Sequence, residues 1–150
     1  MQAAVYDAAA GARPNFARFT FLDLAATHDF YPDWEGAADT CVAILRTEAG
    51  RDPHDKDVHD LVGELSTRSG DFRHRWSTHN VRYHGAGIKH FHHHEFGDLE
   101  LGYESVDMIS EPDLTLTRYA AEPGSPTARA LNLLASWTAT QEVETAAQPT

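Results

Sequence analysis

Residues 88–109 read IKHFHHHEFGDLELGYESVDMI, and the period of this stretch decides the fold class. Beyond Gly97, the residues Leu99, Leu101 and Tyr103 fall on one side of a two-residue repeat, and Asp98, Glu100 and Glu104 on the other. That alternation is the pattern of a half-buried antiparallel strand. Gly97 with Asp98 reads as the turn of a hairpin. The strand before it then carries Lys89, Phe91 and His93 on one face and His90, His92 and His94 on the opposite one. Upstream, GAG at 85–87 reads as a turn, and Val81 and Tyr83 alternate ahead of it. Downstream, LTLTRYA at 114–120 is a further strand, with Leu114, Leu116 and Arg118 on the inward face and Thr115, Thr117 and Tyr119 on the other. EPGSP at 122–126 ends it.

The residues on either side change period. Asn15 can cap a helix through Phe16, Phe19 and Phe21 or Leu22. Pro32 and Asp33 precede a run in which Trp34, Ala38, Cys41, Val42 and Leu45 lie three or four apart, an amphipathic helix ending near Gly50. After the break RDPHD at 51–55, Asp55 or Asp57 begins a helix carrying Val58, Leu61, Val62 and Leu65, which Gly63 weakens without breaking. SGD at 69–71 marks a turn, and Phe72 and Trp76, four apart, place two rings together on a short helix. Ser125 and Pro126 open a last helix through Leu131, Leu134 and Trp137. Helices, then an antiparallel sheet, then a closing helix make an α+β fold. The 150 residues suit one domain over 1–140, with a polar tail at 141–150 expected to fray.

Bulk properties narrow the function. The net charge is −11, and the 12 basic residues are scattered. DNA binding draws on clustered Lys and Arg to neutralise phosphates, so direct DNA binding by this chain is not expected. No run approaches the roughly 20 apolar residues of a membrane helix, and the first residues lack the basic start and apolar core of a secretory signal. The single cysteine, Cys41, excludes an internal disulfide and falls on an apolar helix stripe. A cytoplasmic location is expected. No phosphate loop, serine-nucleophile elbow or Cys–His pair is present to suggest an enzyme, and no cofactor is implied.

Several strings then occur in a specific order: FLDLAA at 21–26, YPDWE at 31–35, AGRDPHD at 49–55 and LVGELSTRS at 61–69. The spaced set Phe72, Trp76, His79 and Val81 follows, then Lys89, Phe91 and His93, then GDLELGYE at 97–104 and YAAEPGSP at 119–126. Together they resemble the ligand-binding domain of MmyB-like helix-turn-helix transcriptional regulators of the Xre class, over roughly residues 14–138. The resemblance implies a PAS-like antiparallel sheet with helices packed around an apolar pocket. It also implies a sensor of a small apolar ligand such as a fatty acid, which tunes a DNA-binding domain ahead of it in the chain. Three departures stand out. The helix-turn-helix is missing, so DNA would be reached through a missing or separate one. The family's first strand, just before the segment matching VYDAAA at 5–10, is largely missing. His94 stands where the family usually has proline. A sheet short of one strand exposes an edge, and such edges invite a homodimer.

The ligand-binding candidates are the apolar and aromatic residues that periodicity turns inward: Phe19, Phe30, Trp34, Leu45, Leu65, Phe72, Trp76, Phe91, Leu101 and Tyr103, accompanied by Leu22, Val42 and Leu116. Pockets of this kind are mostly apolar with a few placed polar groups. Arg68, Arg75, His79 and Lys89 are the groups that could pair with a carboxylate head. Two rival readings use other features. His90, His92 and His94, projecting from one strand face, could hold a zinc ion or serve as bases in a small-molecule enzyme on the same scaffold. An open sheet edge could instead accept a strand from a partner, which would make the chain a protein-interaction module.

Overall fold

The computed structural model describes residues 15–78, 85–111 and 114–146, with side chains through residue 137. The expectations for His79, Val81 and Tyr83 lie outside the described residues. The described residues form six helices and a three-stranded antiparallel sheet, an α+β fold. They fall into two compact units, a helical one ending at Gly85 and a sheet-containing one beginning at Ala86.

The helical unit comprises α1 (Phe16–Leu22), α2 (Leu24–Phe30), α3 (Trp34–Arg51), α4 (Lys56–Arg68) and α5 (Gly70–Ser77). Each begins at a residue whose short polar side chain accepts from a backbone N–H in the first turn. Asn15 accepts from Arg18 N at 3.0 Å, Asp23 from Ala26 N at 3.3 Å and Asp33 from Gly36 N at 3.0 Å. Asp55 accepts from Asp57 N at 2.8 Å and Val58 N at 3.2 Å, and Ser69 from Phe72 N at 3.2 Å. Asp23 and Ser69 also end the preceding helix, so the chain turns there on a single residue. The second helix escapes a reading by period. LAATHDF spans seven residues, too few for a 3.6-residue repeat to declare itself, and only the Asp23 cap signals it. The core of the unit gathers Phe21, Ala38, Cys41, Val42, Leu45, Leu65 and Phe72, all buried.

The second unit is a meander of β1 (Ala86–His93), β2 (Gly97–Asp107) and β3 (Thr115–Ala120), followed by α6 (Pro126–Ala146). The β1–β2 turn sits earlier than the sequence suggests. His93 pairs with Gly97 and His92 with Asp98, so Gly97 and Asp98 belong to β2 and the turn is His94, Glu95 and Phe96. Phe96 N donates to His93 O at 3.2 Å, and Gly97 takes φ +70. This is a three-residue hairpin loop closed by a left-handed residue, the position that favours glycine. Ala86 and Gly87, expected in a turn, are the first residues of β1.

The third strand presents the opposite face from the one expected. Tyr119 pairs with Tyr103 and Leu116 with Val106, so Thr117 and Tyr119 share the face of Leu99 and Leu101. Leu116 lies on the other face and is 56% exposed. Period 2 makes each strand two-faced but does not say which face meets the core. Leucine content suggested one answer, and the register imposed the other. Ser125 Oγ accepts from Ala128 N at 3.0 Å to cap α6, and Thr127 Oγ1 accepts from Glu100 N at 3.1 Å, tying the first turn of α6 to β2. Leu134 is buried, and the helix runs on to Ala146. Among the described residues no helix is long and apolar enough to cross a membrane.

Candidate ligand-binding site

In the helical unit the candidate residues form two aromatic groups. Phe19 and Phe30 meet edge to face at 6.0 Å, and both pack on Tyr31. Phe72 lies fully buried with its ring stacked on Trp76 at 5.5 Å and set edge-on to Phe21 at 5.1 Å. Trp34 is held in place by its indole N–H, which donates to Thr20 O at 3.1 Å, and His28 stacks on it at 4.7 Å. Leu45 and Leu65 are buried core residues.

The cations proposed for a carboxylate head differ sharply in what already satisfies them. Arg75 lies over the Trp34 ring at 4.9 Å and forms ion pairs with Glu35, with Asp39 at 3.3 Å and with Asp71 at 3.5 Å. Three carboxylates surround one guanidinium, so Arg75 works as an internal staple between α3 and α5. Arg68 pairs with Glu64 at 2.8 Å, and Glu64 also receives Arg18 at 2.9 Å. The hydrogen bond from Arg18, reinforced by Arg68, holds the Glu64 carboxyl below its ordinary range. Arg46, which sequence reasoning did not single out, donates to the carbonyl oxygens of Arg75, Trp76 and Thr78 at 3.2, 2.7 and 2.6 Å and lies over the Trp76 ring at 5.4 Å.

The sheet holds the remaining candidates. Its register sets Phe91 opposite Leu99, Lys89 opposite Leu101 and Gly87 opposite Tyr103, all on one face. Phe91, Leu99 and Leu101 are buried, and Tyr103 is half-buried. The Lys89 ammonium sits 4.6 Å from the Tyr103 ring centre and 5.9 Å from that of Tyr119. Gly87 leaves room for the Tyr103 ring, which a Cβ there would meet at 3.1 Å. Burial pushes the Lys89 pKa below the ordinary lysine value. Tyr119 is the member of this group that sequence reasoning assigned to the wrong face. Only the pairing with Tyr103 reveals it.

The histidines do not form the expected trio. His94 lies in the turn, off the strand face. His90 and His92 occupy the exposed face, where His90 meets its cross-strand neighbour Glu100 at 3.1 Å and His92 meets Asp98 at 2.7 Å. His93 is buried, and its Nδ1 accepts from Glu95 N at 3.2 Å. Among the described residues no three His, Cys, Asp or Glu side chains are grouped to hold a metal ion. An open cleft of about 350 Å³ lies where the β1–β2 turn meets α6, lined by Glu95, Phe96, Leu133 and Trp137. None of the residues predicted to bind ligand borders it.

An α+β chain with a lysine set among aromatic rings on an apolar sheet face has the makings of a small-molecule-binding domain. Residues 1–134 match the model of the MmyB-like transcription regulator ligand binding domain, and the chain belongs to that family of regulatory ligand-binding domains. No curated protein and no solved structure matches it.

Proposed function

We propose that this chain is the ligand-sensing part of a helix-turn-helix transcription regulator of the Xre class, acting in the cytoplasm and binding a small apolar molecule such as a fatty acid. The observation that carries the reading, beside family membership, is the apolar face of Phe91, Leu99, Leu101 and Tyr103 with one ammonium group set into it. Ligand sites combine apolar lining with few polar groups in this way. A sensor works by differential affinity: ligand binding favours one arrangement and so biases the DNA-binding partner. The acidic surface leaves DNA contact to that partner. The role is regulatory rather than catalytic. Organic extraction of the purified protein followed by mass spectrometry is expected to recover a lipid. Added fatty acid at about 100 times its Kd is expected to stabilise the fold by about 2.7 kcal/mol. Recovery of no lipid, with no thermal shift from any fatty acid, would remove the reading.

A second reading, a protein-interaction module that includes self-pairing, draws on the exposed apolar side chains Val106, Leu114 and Leu116 at the β2–β3 end of the sheet. Light scattering that gives a monomer at every concentration would count against self-pairing.

A further inference from the structure

The cleft between the β1–β2 turn and α6 has a chemistry of its own. Its volume of about 350 Å³ is small for a ligand site, so it suits a compact molecule rather than a long chain. Both walls are set by local structure. Phe96 closes the hairpin loop through its N–H to His93 O at 3.2 Å, and its ring packs on the buried His93 at 5.1 Å. Leu133 and Trp137 are four apart on α6 and so share one side of that helix. The Phe96 and Trp137 rings meet edge to face at 6.3 Å. Even so, Leu133 is 62% and Trp137 44% exposed. Large apolar side chains that stand singly in water are ordinary, whereas several converging on one cleft mark a binding surface. The charged group of the described lining is the Glu95 carboxylate, and no Lys or Arg stands among the described lining residues. Among the described residues that carboxylate meets only the His94 imidazole, at 3.6 Å, beyond hydrogen-bond reach.

We infer that this cleft is a second binding site, for a compact organic cation of the quaternary ammonium class. Its lining attracts positive charge twice over. Glu95 supplies a full negative charge, and the faces of aromatic rings, indole above all, attract cations through their quadrupole. An anion would be repelled by Glu95 and would find no cationic side chain in the described lining. A neutral apolar molecule would gain from Leu133, Phe96 and Trp137 but nothing from the carboxylate. A primary ammonium brings three N–H donors, which rings and a leucine do not accept well. A quaternary ammonium has none to satisfy, and its methyl groups can lie against the apolar wall. The net charge of −11 raises the concentration of such cations near the surface. The site is separate from the apolar sheet face of Phe91, Leu99, Leu101 and Tyr103, so either reading stands or falls without the other.

Calorimetric titration of the full chain with choline and with 3,3-dimethylbutan-1-ol, its neutral carbon isostere, tests this without any variant. Choline is expected to bind at least about tenfold tighter, a difference of about 1.4 kcal/mol. Three variants then place the binding. Trp137→Leu is expected to weaken choline at least about tenfold. Glu95→Gln is expected to remove most of the preference for choline over the alcohol. Glu100→Gln makes the same change in net charge on the exposed sheet face, where Glu100 meets His90, and is expected to bind choline as the unaltered protein does. Equal affinity for choline and the alcohol in the unaltered protein would overturn the cation assignment. No saturable binding of either at millimolar concentration would overturn the site. Equal losses in Glu95→Gln and Glu100→Gln would assign the attraction to the acidic surface as a whole, and unchanged choline binding in Trp137→Leu would put the ligand elsewhere. Either result would overturn the proposal.

Discussion

The Thr27 hydroxyl is fully buried in α2 and meets no hydrogen-bond partner among the described residues. A polar atom withdrawn from water and left unpaired costs free energy, whereas a methyl group of the same shape does not. Thr27→Val is therefore expected to stabilise the protein by about 1 kcal/mol. Thermal unfolding should show a rise of about 3 °C for a chain of this size, and an unchanged or lower midpoint would mean the hydroxyl is satisfied. The same logic of partners separates residues that the sequence could not rank. Arg75 and Lys89 both read as candidate partners for a carboxylate head group. Asp39, which pairs with Arg75, lies 36 positions away along the chain, and no local pattern announces such a partner. The burial of Phe72, Leu65 and Phe91, by contrast, was legible from period alone.

Helix starts were the most readable feature of the chain, because capping is chemistry between neighbours two or three residues apart. Asn15 and Asp33 declared α1 and α3 directly, and of the two starts offered for α4, Asp55 or Asp57, the cap is Asp55. The end of α5 is less local. It is held by Arg46 of α3, whose guanidinium donates to the carbonyl oxygens of Trp76 and Thr78 and to that of Arg75, which also accepts from Thr78 N. Arg46→Ala is expected to cost about 2 kcal/mol, since hydrogen bonds from a charged donor are among the stronger ones. Hydrogen exchange should localise the loss, with α5 amides exchanging faster and those of α4 little changed. Uniform acceleration across the unit would contradict a local role. The sheet was legible as strands but not as a register. Gly87 and Gly97 were both expected in turns: the first lies in β1 opposite Tyr103, and the second opens β2 and closes the hairpin with φ +70. Which way Tyr119 faces followed from pairing with β2, a choice made across strands.

Two buried groups make the stability of the whole protein depend on alkaline pH, with opposite signs. Burial pushes the Cys41 thiol from 9.0 up to about 12. Above about pH 9 the unfolded chain loses this proton while the folded one keeps it, so stability declines from there toward pH 12. Lys89 acts the other way. Its folded pKa lies below 10.5, so the unfolded chain holds its proton to higher pH, and stability rises with pH until about 10.5. The two oppose each other below pH 10.5, and beyond it, of the two, only the thiol contribution remains. Urea unfolding as a function of pH should show a decline above 10.5 that is shallower in Cys41→Ala, whatever that variant's stability at neutral pH. Parallel curves for the two proteins would remove the thiol from the account. The net charge of −11 adds a salt-sensitive repulsion to both.

By itself the sequence determined the α+β class, the order of the strands and of the helices other than α2, most helix caps, the alternating faces of β2 and the family of the chain. All of these depend on residues a few positions apart or on the order of short motifs. Only the tertiary structure decided the strand register, the inversion of β3, the pairing of His90 and His92 with acids and the difference between Arg75 and Lys89. The reason is physical. A cap or a periodic stripe is a property of local backbone geometry. A charge is satisfied or left waiting according to what the fold brings beside it, and that partner can lie anywhere in the chain.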